Sequence, residues 1–161
     1  MLQKKSILVG LFLASVLALS FASPALASSP STATFSGTAT IHIVEVDGTQ
    51  MTLTRPFRVV ATAGGAGVGT LLLTVYSLPA PFGTVTVGGT IATGSIAITS
   101  SSATGGGTIA PPEPSQDGFG VTASSGGQFQ CQNAGFSALL GLGIRQMDVH
   151  GTALPGSLMT S

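Results

Sequence analysis

Phe35-Ser36-Gly37-Thr38-Ala39-Thr40-Ile41-His42-Ile43, followed by Asp47-Gly48 and then Met51-Thr52-Leu53-Thr54-Arg55-Pro56-Phe57-Arg58-Val59-Val60-Ala61, is the stretch on which the fold turns. Phe35, Gly37, Ala39, Ile41 and Ile43 share one face, while Ser36, Thr38, Thr40 and His42 share the other. A period of two residues is that of a half-buried strand. Asp47-Gly48 is hairpin-turn chemistry, and the return strand repeats the alternation with Met51, Leu53, Phe57, Val59 and Ala61 on its apolar face. Arg55 is the exception on that face, and Pro56, which has no amide donor, marks an edge or a bulge. A two-residue loop would oppose Ile43 to Thr52 and mix the faces. A three-residue loop with a bulge at Gly48 keeps the faces together, and the expected pairs are Ile43 with Leu53 and Ala39 with Phe57.

Downstream the chain continues in short apolar runs cut by Gly and Pro. Ala63-Gly64-Gly65-Ala66-Gly67 reads as a turn, and Gly69 to Leu78 as a strand dense enough to be buried on both faces. Thr84 to Val87 is expected as a short strand closed by Gly88-Gly89, and Thr90 to Thr99 as another, bent at Gly94. Ser100 to Gly107 has the composition of a loop, with a stiff Pro111-Pro112-Glu113-Pro114 segment beyond it. Phe119, Val121 and Ala123 alternate with polar residues, Ser125-Gly126-Gly127 turns the chain, and Phe129 and Cys131 then point inward between Gln128, Gln130 and Gln132. Ala134 to Ile144 holds one or two helical turns at most, because Gly141 and Gly143 oppose length. Gln146 to Leu154 is a last strand with Met147 and Val149 inward and Asp148 and His150 outward. The expected fold is all-β: a single-domain antiparallel β-sandwich or β-barrel of about eight short strands. Gly37-Thr38-Ala39 recurs as Gly151-Thr152-Ala153, which suits first and last strands lying side by side.

Upstream of this domain stands an export signal. Lys4 and Lys5 precede an uncharged run of fifteen residues, Ile7 to Phe21, then Pro24 and the small-x-small site Ala25-Leu26-Ala27. The run is shorter than the ~20 apolar residues of a membrane span. The expected organisation is a cleaved signal peptide over 1–27, a flexible leader over 28–34, an all-β domain over 35–154 and a tail over 155–161. No membrane span is expected in the mature chain, whose expected location is secreted, cell-surface or periplasmic.

Cleavage removes both lysines and leaves three arginines against five carboxylates, a formal charge of −2. Charged residues make up only 6% of the chain, so Thr, Ser and Gly carry the contact with water. A surface without a basic patch argues against nucleic acid as a partner. An outer-membrane barrel would carry aromatic girdles at both interfaces, whereas this chain has no Trp and one Tyr, Tyr76. Thr-x-Thr pairs at Thr38/Thr40, Thr52/Thr54 and Thr84/Thr86 are spaced 14 and 32 residues apart, which is no solenoid repeat.

Chemistry-bearing residues are few. Cys131 is the single cysteine, so no internal disulfide can form, and its setting is that of a buried thiol. His42, Glu45, Asp47, Asp148 and His150 would converge if the terminal strands pair, and two His with a carboxylate can hold a metal. Their turn and outward positions favour solvated groups instead. The Gly-rich tracts lack the Lys-Ser/Thr ending of a phosphate loop, and no Ser sits in a G-x-S-x-G elbow. The sequence therefore assigns no catalytic, cofactor-binding or metal residues. It is read as an exported, non-catalytic structural or cell-surface interaction protein able to self-assemble, its partners being its own copies or other surface components. The alternative is a β-barrel carrier holding a small apolar ligand among Phe57, Leu71, Leu73 and Phe129. Protein recovered from the exported fraction of its source is expected to begin at Ser28 by intact mass. A mass retaining Met1 would overturn the signal assignment.

Overall fold

The computed structural model describes residues 31–110, 117–124, 127–134 and 137–161. The expected signal segment, the Pro111–Pro114 stretch and part of the turn at 125–127 lie outside them. The elements are β1 (Thr32–Glu45), β2 (Gln50–Thr62), β3 (Thr70–Leu78), β4 (Gly83–Ile98), β5 (Ala103–Ala110), β6 (Asp117–Ala123), β7 (Gln128–Ala134), the single helical turn α1 (Ser137–Leu140), β8 (Ile144–Ala153) and the short β9 (Met159–Thr160). Each of the first seven strands pairs antiparallel with the next, β8 returns to pair with β1, and β9 adds to the start of β1. The sheet is one closed eight-stranded barrel, which settles the choice between sandwich and barrel. At eight strands a barrel is just wide enough for side chains to fill.

They do fill it. Phe35, Ile41 and Ile43 of β1, Phe57 and Val59 of β2, Leu71 and Leu73 of β3, Ile91 of β4, Ile109 of β5, Val121 of β6, Phe129 of β7 and Val149 of β8 belong to one buried cluster. At its centre the Phe57 and Phe129 rings stack with centroids 5.3 Å apart, and Phe35 meets each edge-on at 6.4 and 6.1 Å. Such pairs add about 0.5–1.5 kcal/mol each beyond the area they bury. Leu139 of α1 is buried as well. The outer face carries the alternate residues, with threonine hydroxyls paired across strands at Thr74–Thr86 (3.0 Å) and Thr93–Thr108 (2.9 Å).

Closure occurs where the sequence repeats. Gly37 lies opposite Ala153, Thr38 opposite Thr152 and Ala39 opposite Gly151, so the two Gly-Thr-Ala tripeptides pair with each other across the seam. Both glycines are required by close approach. A Cβ on Gly37 would run into the Thr152 carbonyl oxygen, and one on Gly151 would lie 2.5 Å from Cε1 of Phe57. The Phe57 ring thus lies over bare backbone from β1 and β8.

The β1–β2 loop has three residues as expected, but they are Val46 to Gly48 rather than Asp47 to Thr49, with Gly48 at φ 91°. The Thr49 amide donates to Asp47 Oδ1 at 2.8 Å, which also holds the Asp47 carboxyl below its usual range. The faces stay together as predicted, yet the register differs by two residues. Ile43 opposes Met51 rather than Leu53, and Phe57 opposes Gly37 rather than Ala39. The aromatic ring takes the one position on β1 where no side chain competes for its space.

Other expectations need correction. Residues 32–34, expected in the leader, begin β1, and the tail at 155–161 returns as β9. The segments 84–87 and 90–99 are one strand, because Gly88 and Gly89 continue the ladder with Leu72 and Leu71. Its pairing register with β5 shifts between Ile91 and Thr93, and this bulge moves the inward set from Val85, Val87 and Ile91 to Ile96 and Ile98. Gly94 does adopt the left-handed region, with φ 79°. Most of the expected loop at 100–107 belongs to β5, whose glycines let neighbouring backbones come close. Strand β3 is buried on one face only, Leu72 being 44% exposed, because a single-layer barrel leaves its outer face to solvent.

The seam gives a discriminating prediction. Gly151→Ala should cost about 1–3 kcal/mol by overpacking, and Phe57→Leu in the same chain should recover part of that. Gly37→Ala should keep most of its cost in either background, because its obstacle is main chain. Urea midpoints at constant slope measure all four variants, and equal rescue of both glycine variants would refute this account of the seam.

Candidate functional site

The pairing of β1 with β8 brings together part of the constellation flagged in the sequence. His42 lies directly opposite Asp148, and His150 opposite Thr40, so the three occupy one outer face. Cross-strand alignment extends the rows on both sides: Gln132–Asp148–His42–Thr52 and Gln130–His150–Thr40–Thr54. Nδ1 of His42 sits 3.1 Å from the Thr52 hydroxyl, and Gln146 Nε2 donates to Asp148 Oδ2 at 2.9 Å. Asp148 Oδ1 is shielded and accepts no hydrogen bond among the described residues. Glu45 stands at the end of β1 and Asp47 in the hairpin loop, away from the pair. Among the described residues no three His, Cys, Asp or Glu are grouped so as to hold a metal ion.

The glutamine ladder faces outward as expected and borders two shallow grooves. One, of about 400 Å³, runs between Gly120 and Thr122 of β6, Gln128 and Gln130 of β7, and His150 and Thr152 of β8. The other, of about 200 Å³, lies between Gly118, Gly120, Gln130 and Gln132. They exist because β6 turns glycine outward at 118 and 120 beside long amide side chains. The only signal for them in the sequence is that Gly-x-Gly spacing facing an alternating Gln run. Their walls offer hydroxyls, carboxamides and one imidazole, which can hydrogen-bond a neutral polar group but supply no strong nucleophile or acid.

The residues expected to line an apolar cavity, Phe57, Leu71, Leu73 and Phe129, are instead packed against one another in the core. Among the described residues two polar groups share that interior. Asp117 is 1% exposed, at the start of β6. Cys131 is buried, and burial, with smaller contributions from the Asp117 and Asp148 carboxylates, pushes its thiol up to about 12. A thiol so placed stays protonated at neutral pH and out of reach of another chain while the barrel is folded. No protein-family model matches the chain, and neither curated proteins nor solved structures give a match.

Thiol reagents at pH 8 should leave Cys131 unmodified until urea unfolds the barrel. The pH dependence has a definite sign. The unfolded thiol loses its proton near 9 and the folded one near 12, so the native state holds the proton longer. Its contribution to stability is complete below pH 9 and declines as pH rises from 9 towards 12. Cys131→Ala, measured alongside, should lack that decline; an identical alkaline profile would remove the assignment.

Proposed function

We propose that this chain is an exported, non-catalytic structural or cell-surface interaction protein, a rigid barrel that associates with its own copies or with other surface components. The observation that carries this reading is the division between its two faces. Apolar side chains from all eight strands occupy the interior, with the three Phe rings in mutual contact. The exterior is written in Thr, Ser, Gln and Gly, with few ionisable groups. A filled interior favours scaffold over carrier. An uncharged hydroxyl and amide surface holds water and makes contacts that pH and salt scarcely alter. The alternation also runs opposite to that of a transmembrane barrel, which turns its apolar residues outward and its polar ones inward.

Light scattering on the chain from Ser28 to Ser161, over a wide concentration series, should show species larger than the monomer. Their size should be nearly unchanged between about 0.05 and 0.5 M salt, a range over which exposed charge pairs are progressively screened. Strict monomers at every concentration, together with recovery free of the cell envelope in fractionated source cells, would overturn the proposal.

A further inference from the structure

Among the described residues several stretches of backbone are paired on one side only, and two of them lie in the β1–β2 hairpin. The first is Gln50–Pro56 of β2. It pairs with β1, but the β2–β3 ladder stops at Phe57 opposite Val75. This stretch is guarded from within. Pro56 offers no amide, and the Arg55 guanidinium donates through Nε to the Ser77 carbonyl at 2.6 Å and through Nη1 to the Thr54 carbonyl at 2.8 Å. Proline and a charge on an edge are the usual obstacles to strand addition.

The second stretch is the start of β1. Strand β8 ends at Ala153 opposite Gly37, so Thr32–Ser36 lies beyond it. Within Thr32–Ser36 there is no charge or proline, and among the described residues the edge is covered by β9 and the connection that leads to it. Ala33 pairs with Thr160 and Thr34 with Met159. Ser31 and Thr32 donate their amides to the Ser161 carbonyl, and Ser161 donates back to Thr32, each at 2.9 Å. The connection from β8 is Leu154–Leu158. It bends at Gly156, with φ 76°, and is tied to Ser36 through the Leu154 amide and the Ser157 hydroxyl. Met159 is 65% exposed, and only Leu158 packs against the core. A two-residue strand held by so few contacts opens locally at far less cost than the barrel it covers. Once open, it uncovers an unguarded edge that is already shaped for the same segment.

We infer that β9 is an exchangeable strand: it leaves its own β1 and pairs, in the same register, with Ser31–Thr34 of a second copy. This inference rests on the self-association proposed above and names the contact that makes it. The bonds that β9 loses in one barrel are remade in another, so the exchange costs the straightening of the connection with its hydrogen bonds to Ser36, and is drawn forward by concentration. Five residues from Leu154 to Leu158 span up to about 17 Å when extended, enough to cross to an adjacent barrel. A reciprocal exchange makes a closed dimer, and a head-to-tail one makes a filament.

Thr34 and Met159 are paired and sit on the outer surface, so cysteines there report the exchange, with Cys131 left in place as a buried thiol. Tagged Thr34→Cys mixed with untagged Met159→Cys and then oxidised should give the mixed covalent dimer in preference to either homodimer. Thr34→Cys mixed with Val68→Cys should not. In a single chain, Thr34→Cys/Met159→Cys oxidised at high dilution should lock β9 onto its own barrel, abolish assembly in light scattering and regain it on reduction. Circular dichroism before and after oxidation confirms that each variant is folded. If the locked barrel assembles as readily as the unmodified protein, strand exchange is wrong while the proposal of self-association stands. If the unmodified protein never assembles, both fall.

Discussion

The structure depends on the antiparallel meeting of Gly37-Thr38-Ala39 with Gly151-Thr152-Ala153. Up to that seam the chain is a meander of seven hairpin connections, whose two outer edges would remain exposed. At the seam the sheet becomes a barrel. Two glycines let β1 and β8 approach, and the Phe57 ring lies across them, stacked on Phe129 and braced by Phe35. Closure and core packing are therefore a single event. The ring that fills the centre of the barrel needs the two backbone positions that let the barrel close, and those positions would leave a void without the ring.

Closure then fixes what each residue type is for. Once the inside is sealed, every strand has one dry and one wet face, and polar residues on the inward face become exceptions to be accounted for. Asp117 and Cys131 are the two at depth, and Arg55 is the third, at the margin, where its head group reaches the Ser77 carbonyl. The outward face is carried mostly by hydroxyls and amides, which neither titrate nor attract counter-ions. Closure is also incomplete in an informative way. The strands differ in length, and where one outruns its neighbour an edge reappears. Two of these edges, on β2 and β1, are treated differently, one by an arginine and a proline, the other by a short strand.

Much of this was legible in the residues. The alternation through Phe35–Ile43 and Met51–Ala61 specified strands and their faces, because a period of two has one physical meaning in a half-buried segment. The inward Cys131 and outward glutamines followed from the same logic. Register did not. The apolar pattern constrains only the parity of pairing, so Phe57 opposite Ala39 and Phe57 opposite Gly37 looked alike until the volume of the ring was set against the backbone around it. Strand β5 was hidden for a related reason. Its core is Gly105-Gly106-Gly107, and residues with no side chain carry no face to read. The β4 bulge was equally silent, since a single extra residue changes no composition yet reverses which side is buried.

The candidate polar cluster divides along the same line. That His42, Asp148 and His150 would share a face if the ends of the chain met was visible in the sequence, and the Gly-Thr-Ala repeat pointed to that meeting. That Glu45 and Asp47 would be left at the rim, and that Gly118 and Gly120 would open grooves beside the glutamines, required the barrel itself. Local alternation, turn chemistry and the scarcity of charge belong to short windows of the chain, so the sequence alone determined an all-β, nearly uncharged domain with an apolar side and a hydroxyl-rich side. Closure, register and the partner of each edge depend on the volumes of side chains that meet from distant strands. Those meetings are set by space rather than by neighbours in the chain, and only the tertiary structure decided them.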